Sequence, residues 1–283
     1  MKFQLKALVA ALALVAAVPA SAAINPASSG NSSFVLSVWD EANNVSASFD
    51  LGIDYSQFSI AANATQTAGS PWANSGVTAS GTSFSWDLTT GDYAAAWSSF
   101  TSVANEAGAK WVVTAADNLG TGAGSRGYIT TYTGAPFAAF NTNGLVAAVG
   151  QFNLYTDNLG TNESLAQNHT TALNGANTAV NGKLSYSPVY YFGGRNLGTG
   201  PMSIGTVGSS LGVVQTVTGA NAVSQVTNTI YSNANGISTF TLTSNGQLAY
   251  SAAVAAVPEP ETYAMLLAGL GFMGFVARRK QAK

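Results

Sequence analysis

The chain predicts a mainly β fold: an antiparallel β-sandwich or related sheet domain with one or two short covering helices, a signal peptide before it and an apolar C-terminal helix after it. Three observations carry this reading. Several short runs alternate apolar and polar residues with period two, or concentrate aromatic and β-branched residues. Gly, Asn, Asp and Ser punctuate those runs. Aromatic residues at 10% supply a core, while 8% charged residues are too few for an ordinary disordered chain.

The elements follow in chain order. SFVLSVWD (33–40) sets Phe34, Leu36 and Val38 against Val35, Ser37 and Trp39, as a strand does. SASFDLGI (46–53) and SFSWDL (83–88) are aromatic and β-prone between turn residues. KWVVTAAD (110–117) and RGYITTYT (126–133) read as strand partners separated by the glycine-rich NLGTGAGS. TFTLTSNGQLAYSAA (239–253) places Asn245-Gly246 between alternating runs, a hairpin signal in which both turn positions take positive φ. Two segments have helical spacing instead: 92–108, and Leu145 to Leu159, where Leu145, Val149 and Phe152 share a face. The stretch from Thr161 to Lys183 has no clear period and reads as a long loop or a second helical piece. NLGT occurs at Asn118, Asn158 and Asn196, but the flanks differ, so a reused turn sequence is favoured over a true repeat.

Both ends differ from the middle. Lys2 and Lys6, an apolar stretch from Ala7 to Val18, then Ala20-Ser21-Ala22 form the three regions of a secretory signal peptide with small residues at the cleavage site. The expected division is 1–22 signal peptide, 23–256 β-rich extracellular domain, and 257–283 a distinct C-terminal segment. Between the ends stand four basic and ten acidic residues, a formal charge of minus six. No basic stripe is available to neutralise phosphates, which excludes nucleic acid as a partner. The chain has no cysteine, so neither a disulfide framework nor a thiolate site is available.

Candidate chemistry is sparse. The one histidine, His169, has no carboxylate nearer in sequence than Glu163, and no G-x-S-x-G pattern offers a nucleophile. One His without Cys does not make the usual zinc set. Carboxylate pairs remain as acid and base for a glycosidase: Asp50 with Asp54, Asp40 with Glu41, Asp87 with Asp92. Asp117 and Asp157 each open a DNLGT loop, which raises calcium as a ligand, although neither loop has the spaced carboxylates of a recognised calcium site. No catalytic residue, metal or cofactor is assigned.

The C-terminal segment is more specific. Val257-Pro258-Glu259-Pro260 is followed by an apolar run from Tyr263 to Ala277, then by Arg278-Arg279-Lys280. As a helix that run is ~22 Å long, short of the ~30 Å hydrocarbon core. The basic residues form a positive-inside stop, and the two prolines block a helix from running back into the domain. In order and spacing, these parts resemble the PEP-CTERM sorting signal of exported proteins from exopolysaccharide-making Gram-negative bacteria, a segment also labelled the ice-binding protein C-terminal domain. The ice-binding label finds no support in the rest of the chain, where Thr-x-Thr occurs only in scattered short stretches such as TLT at 241–243 rather than as a regular repeat.

The resemblance implies handling by an exosortase, cleavage near Pro-Glu-Pro, and release or transfer outward. The partners expected are therefore the Sec translocase, the inner membrane transiently, an exosortase and extracellular polysaccharide. The reading reached is a non-enzymatic surface or biofilm-matrix protein, with exposed Asn, Thr, Ser and aromatic side chains available to sugars; the alternative is a secreted glycosidase or carbohydrate-binding module.

Overall fold

The computed structural model describes residues 24–58, 83–133, 141–160, 176–180, 182, 185–188, 204–233 and 236–252. They form strands β1 (Ser33–Asp40), β2 (Val45–Asp54), β3 (Ser83–Asp87), β4 (Lys110–Asp117), β5 (Gly127–Tyr132), β6 (Ala176–Val180), β7 (Gly205–Thr206), β8 (Ser210–Val217), β9 (Thr227–Ile230), β10 (Ser232–Asn233), β11 (Gly236–Ile237), β12 (Thr239–Leu242) and β13 (Gln247–Ser251). The helices are α1 (Tyr55–Phe58), α2 (Ala94–Thr101) and α3 (Thr142–Gly160). All these residues belong to one unit ending at Ala253.

An 11-stranded antiparallel sheet runs β3-β13-β12-β8-β5-β4-β1-β2-β6, with β7 pairing β4 and β9 pairing β8; β10 and β11 pair separately. In place of a two-sheet sandwich, this one sheet curls into a half-barrel. The curl follows from the packing of α1. Phe58 touches Phe34 of β1 at 4.5 Å between ring centroids, and also Tyr250 of β13 at 5.4 Å and Phe240 of β12 at 6.2 Å. β12 and β1 are four strand steps apart in the sheet, ~19 Å if it were flat. One ring reaches both because the sheet closes around it, burying Leu36, Phe49, Trp111, Val113 and Leu248 on the same concave face.

The other face is covered by α3. Leu145, Val149, Phe152 and Leu159, at helical spacing, pack on Val35, Trp39, Val112, Ala116 and Tyr128. That is why every residue of β1 is buried: its two alternating sets face two different cores.

Several expectations hold. β4 pairs β5, and β12 pairs β13 as a hairpin; the strands read at 33–40 and 46–53 are β1 and β2, which the structure pairs with each other. Others need correction. Of the hairpin turn residues, Gly246 has φ 77°, whereas among the described residues the one non-glycine residue with positive φ is Asn44, not Asn245. Gly246 N donates to Thr243 O at 3.1 Å, so the turn spans Thr243 to Gly246 and ends in a left-handed glycine. Helix α3, at 19 residues, is not short. In the stretch read as loop or helix, Ala176–Val180 is an edge strand on β2; its Ala176 and Ala179 stand opposite Phe49 and Ser46 across the ladder but supply little hydrophobic signal. The second NLGT copy lies at the end of α3 while the first is a loop, so the string is not a structural repeat. The signal peptide, His169, the third NLGT copy and the C-terminal segment lie outside the described residues. No described helix is long and apolar enough to cross a membrane.

Candidate functional site

The carboxylates proposed as acid and base are structural in their surroundings. Asp50 on β2 is 3% exposed; its Oδ2 accepts from Ser33 Oγ at 2.8 Å and its Oδ1 from Gly52 N at 2.8 Å. Gly52 has φ 69°, the left-handed conformation that lets this amide turn back to the side chain. Asp54 accepts weakly from Asn25 and Asn31 at 3.4 and 3.3 Å, and burial raises its pKa with only partial offset from Asn25. A general acid must reach substrate, and Asp50 faces the protein instead. Asp40 is equally occupied: burial raises its pKa, but the Asn43 amide and the Asn105, Ala42 and Asn43 N–H groups outweigh that and hold the carboxyl low. Its neighbour Glu41 pairs with Lys110 at 3.1 Å on the surface. Asp87 accepts from the hydroxyl and amide of Thr89.

The two DNLGT aspartates stand in different settings. Asp157 sits inside α3, where Asn153 Nδ2 donates to it at 2.9 Å; Asp117 ends β4 and accepts from Leu119 N at 2.8 Å. Among the described residues no group of three or more His, Cys, Asp or Glu side chains is placed to hold a metal.

A buried hydroxyl cluster, unforeseen from sequence, lies between α3 and the sheet. Tyr155 Oη is 2.8 Å from Ser37 Oγ and 2.9 Å from Ser187 Oγ, and also bonds Ser48 Oγ. Ser187 N donates to Ser46 Oγ at 3.2 Å. None of these partners is a base that would activate a serine, so the cluster ties the helix to β1 and β2.

Among the described residues, solvent reaches the domain at a cleft of about 180 Å³ at one end of the sheet. The glycine-rich loop after β4 forms one wall, the first turn of α3 another, and the segment after β8 the third: Thr121, Arg126, Thr142, Asn143 and Asn221 line it, among others. The loop is built by Gly120 at φ 83° and Gly124 at φ 70°, and is held to β8 by Gly124 N donating to Thr218 O at 2.8 Å. Arg126 is the one charged residue of the lining. Its Nε donates to Gly120 O at 2.6 Å, and among the described residues its Nη nitrogens have no hydrogen bond or ion pair.

The start of α3 contributes no free donors. Thr142 N and Asn143 N donate to Ser224 O and Ala222 O at 2.9 Å each, Gly144 N to Asn141 Oδ1 at 2.9 Å, and Leu145 N to Asn141 O at 3.0 Å. The cleft therefore has neutral hydroxyl and amide walls and a single guanidinium. Sequence reading counted Arg126 only as a charge; its signal was a lone arginine closing a glycine-rich loop.

Exposed aromatics, expected as platforms for sugars, are not found among the residues whose side chains are described: those aromatic side chains are buried, apart from the half-buried Tyr93. Its hydroxyl donates to Asp50 O, and burial, Asp50 and Asp92 all push its pKa up.

The sorting and cleavage residues, Ala20, Ala22, Val257, Pro258, Glu259, Pro260, Arg278, Arg279 and Lys280, lie outside the described residues. No curated protein and no solved structure matches the chain. A family model, the PEP-CTERM protein-sorting motif, matches residues 256–280. That span contains Pro-Glu-Pro and the basic cluster, and it marks an exported protein targeted to an exosortase. The chain is thus a PEP-CTERM sorting domain-containing protein.

Proposed function

We propose that this is a non-enzymatic surface or matrix protein. It is exported through the Sec translocase, held briefly in the inner membrane by its tail, cut by an exosortase near Pro258-Glu259-Pro260, and lodged in exopolysaccharide. The observation that carries the reading is the sorting motif over residues 256–280. The carboxylates support the non-enzymatic part, since Asp40 and Asp50 spend their oxygens on the fold rather than on a cleft. With the described aromatics inside, contact with sugars falls to hydroxyl, amide and guanidinium groups.

The test is to express the full chain in a host with an exosortase and in one without, and to locate the C terminus by intact mass in cell and medium fractions. Loss of the residues after about Pro260 in the first host alone supports the reading; an uncut tail in both sinks it. The glycosidase alternative is checked by incubating the full chain with neutral and acidic polysaccharides: release of new reducing ends, abolished by Asp50→Asn or Asp54→Asn, would replace the non-enzymatic assignment.

A further inference from the structure

We infer that the cleft around Arg126 is a binding site for a carboxylate-bearing sugar residue, the uronate unit of an acidic polysaccharide. The inference deepens the matrix reading and rests on it for the source of the sugar. Three observations converge. The Arg126 side chain is oriented by its Nε bond to Gly120 O, leaving both Nη groups for a ligand. A guanidinium fork fits a carboxylate with two parallel bonds, a geometry that a sugar hydroxyl does not match.

The rest of the lining offers polyol chemistry and no competing anion. Among the described residues the side chains of Thr121 and Asn143 make no hydrogen bond, and Asn221 uses only its Oδ1, accepting from Val223 N and Ser224 N at 3.1 and 3.0 Å. Asn221 Nδ2, the Asn143 amide and the Thr121 hydroxyl remain for ring hydroxyls. Finally, because the first-turn amides of α3 are all engaged, the carboxylate has no helix terminus to bind, and Arg126 alone decides for or against an acidic sugar. Asp117 opposes the ligand: it lies close enough to interact with Arg126 but outside the lining.

The test titrates the full-length chain with galacturonate, galactose and acetate, using calorimetry, and adds tri-galacturonate as a polymer fragment. Expected are binding of galacturonate over galactose, tighter binding of the trimer, and weakening as salt rises. Arg126→Gln should cost about 10- to 100-fold, as loss of a charged pair of hydrogen bonds does. Asp117→Asn should tighten binding, and Asn143→Ala, an exposed change that spares the fold, should weaken it several-fold. Equal binding of galactose and galacturonate, or a preference that survives Arg126→Gln, overturns the site. Acetate binding as tightly as galacturonate overturns the sugar part. Retention of only neutral polysaccharides in a pull-down defeats this inference and leaves the matrix reading standing, whereas retention of no polysaccharide defeats both.

Discussion

Tyr155 of α3 places its hydroxyl 2.8 Å from Ser37 Oγ of β1, across the junction between the helix and the convex face of the sheet. The same oxygen meets Ser48 and Ser187, so one phenol satisfies three serines that are buried with it. Tyr155→Phe keeps the ring in its apolar seat and leaves those hydroxyls short of a partner, a loss of about 1–3 kcal/mol. Urea unfolding checks it; a change within error would mean that the serines re-pair among themselves.

Two glycines should respond in opposite directions. A Cβ on Gly127 would meet Thr216 O at 2.6 Å and the Tyr55 hydroxyl at 2.7 Å, and the backbone oxygen has nowhere to go. Gly127→Ala is expected to cost about 1–3 kcal/mol. On Gly150, inside α3, the added Cβ meets nothing within 4 Å. Gly150→Ala should therefore stabilise by about 0.5–1 kcal/mol through helix propensity alone. Melting temperatures of the two variants moving the same way would contradict this.

Asp40 should make the domain acid-sensitive. Burial works against its ionised form, but the Asn43 side chain and three backbone amides favour that form more strongly, so the folded carboxyl is a stronger acid than the unfolded one. Its contribution is then fully present above the ordinary carboxylate value of ~3.9 and is lost as pH falls through the lower folded value. Asp54 and Asp117, whose pKa values are raised by burial, run the other way, and their cost is relieved on acidification. The stability difference between the native chain and Asp40→Asn isolates the first effect. It should be largest at neutral pH and shrink below about pH 4; a pH-independent difference would show that only packing was lost.

Neutralising the C-terminal basic cluster should block sorting. Replacing Arg278, Arg279 and Lys280 together by Gln removes the positive flank that the positive-inside rule favours on the inner face of a membrane. Uncut, full-mass chain is expected to accumulate in a host with an exosortase, read by intact mass. Normal processing would show that Pro258-Glu259-Pro260 and the apolar run suffice.

What the sequence determined by itself is local or terminal. Alternation identifies β1, β2, β4 and β5, because these strands carry large apolar side chains on a two-residue period. Spacing identifies α3, because Leu145, Val149 and Phe152 must share a stripe. The sorting motif is readable without any fold, since it is a contiguous run of residues, 256–280, that matches a family model by itself.

The tertiary structure decided what depends on distance across the chain. β6 is a strand because β2 offers its edge, although Ala176–Val180 has almost no hydrophobic pattern of its own. Asp157 is helical and Asp117 is not, although both begin the same four letters, because the apolar stripe of α3 runs through Leu159. The curl of the sheet exists because Phe58 must be covered from both β1 and β13 at once. The cleft exists because a loop after β4, the start of α3 and the segment after β8 meet at one end of that sheet. No local pattern encodes such meetings; burial of the shared core, summed over residues far apart in sequence, selects them.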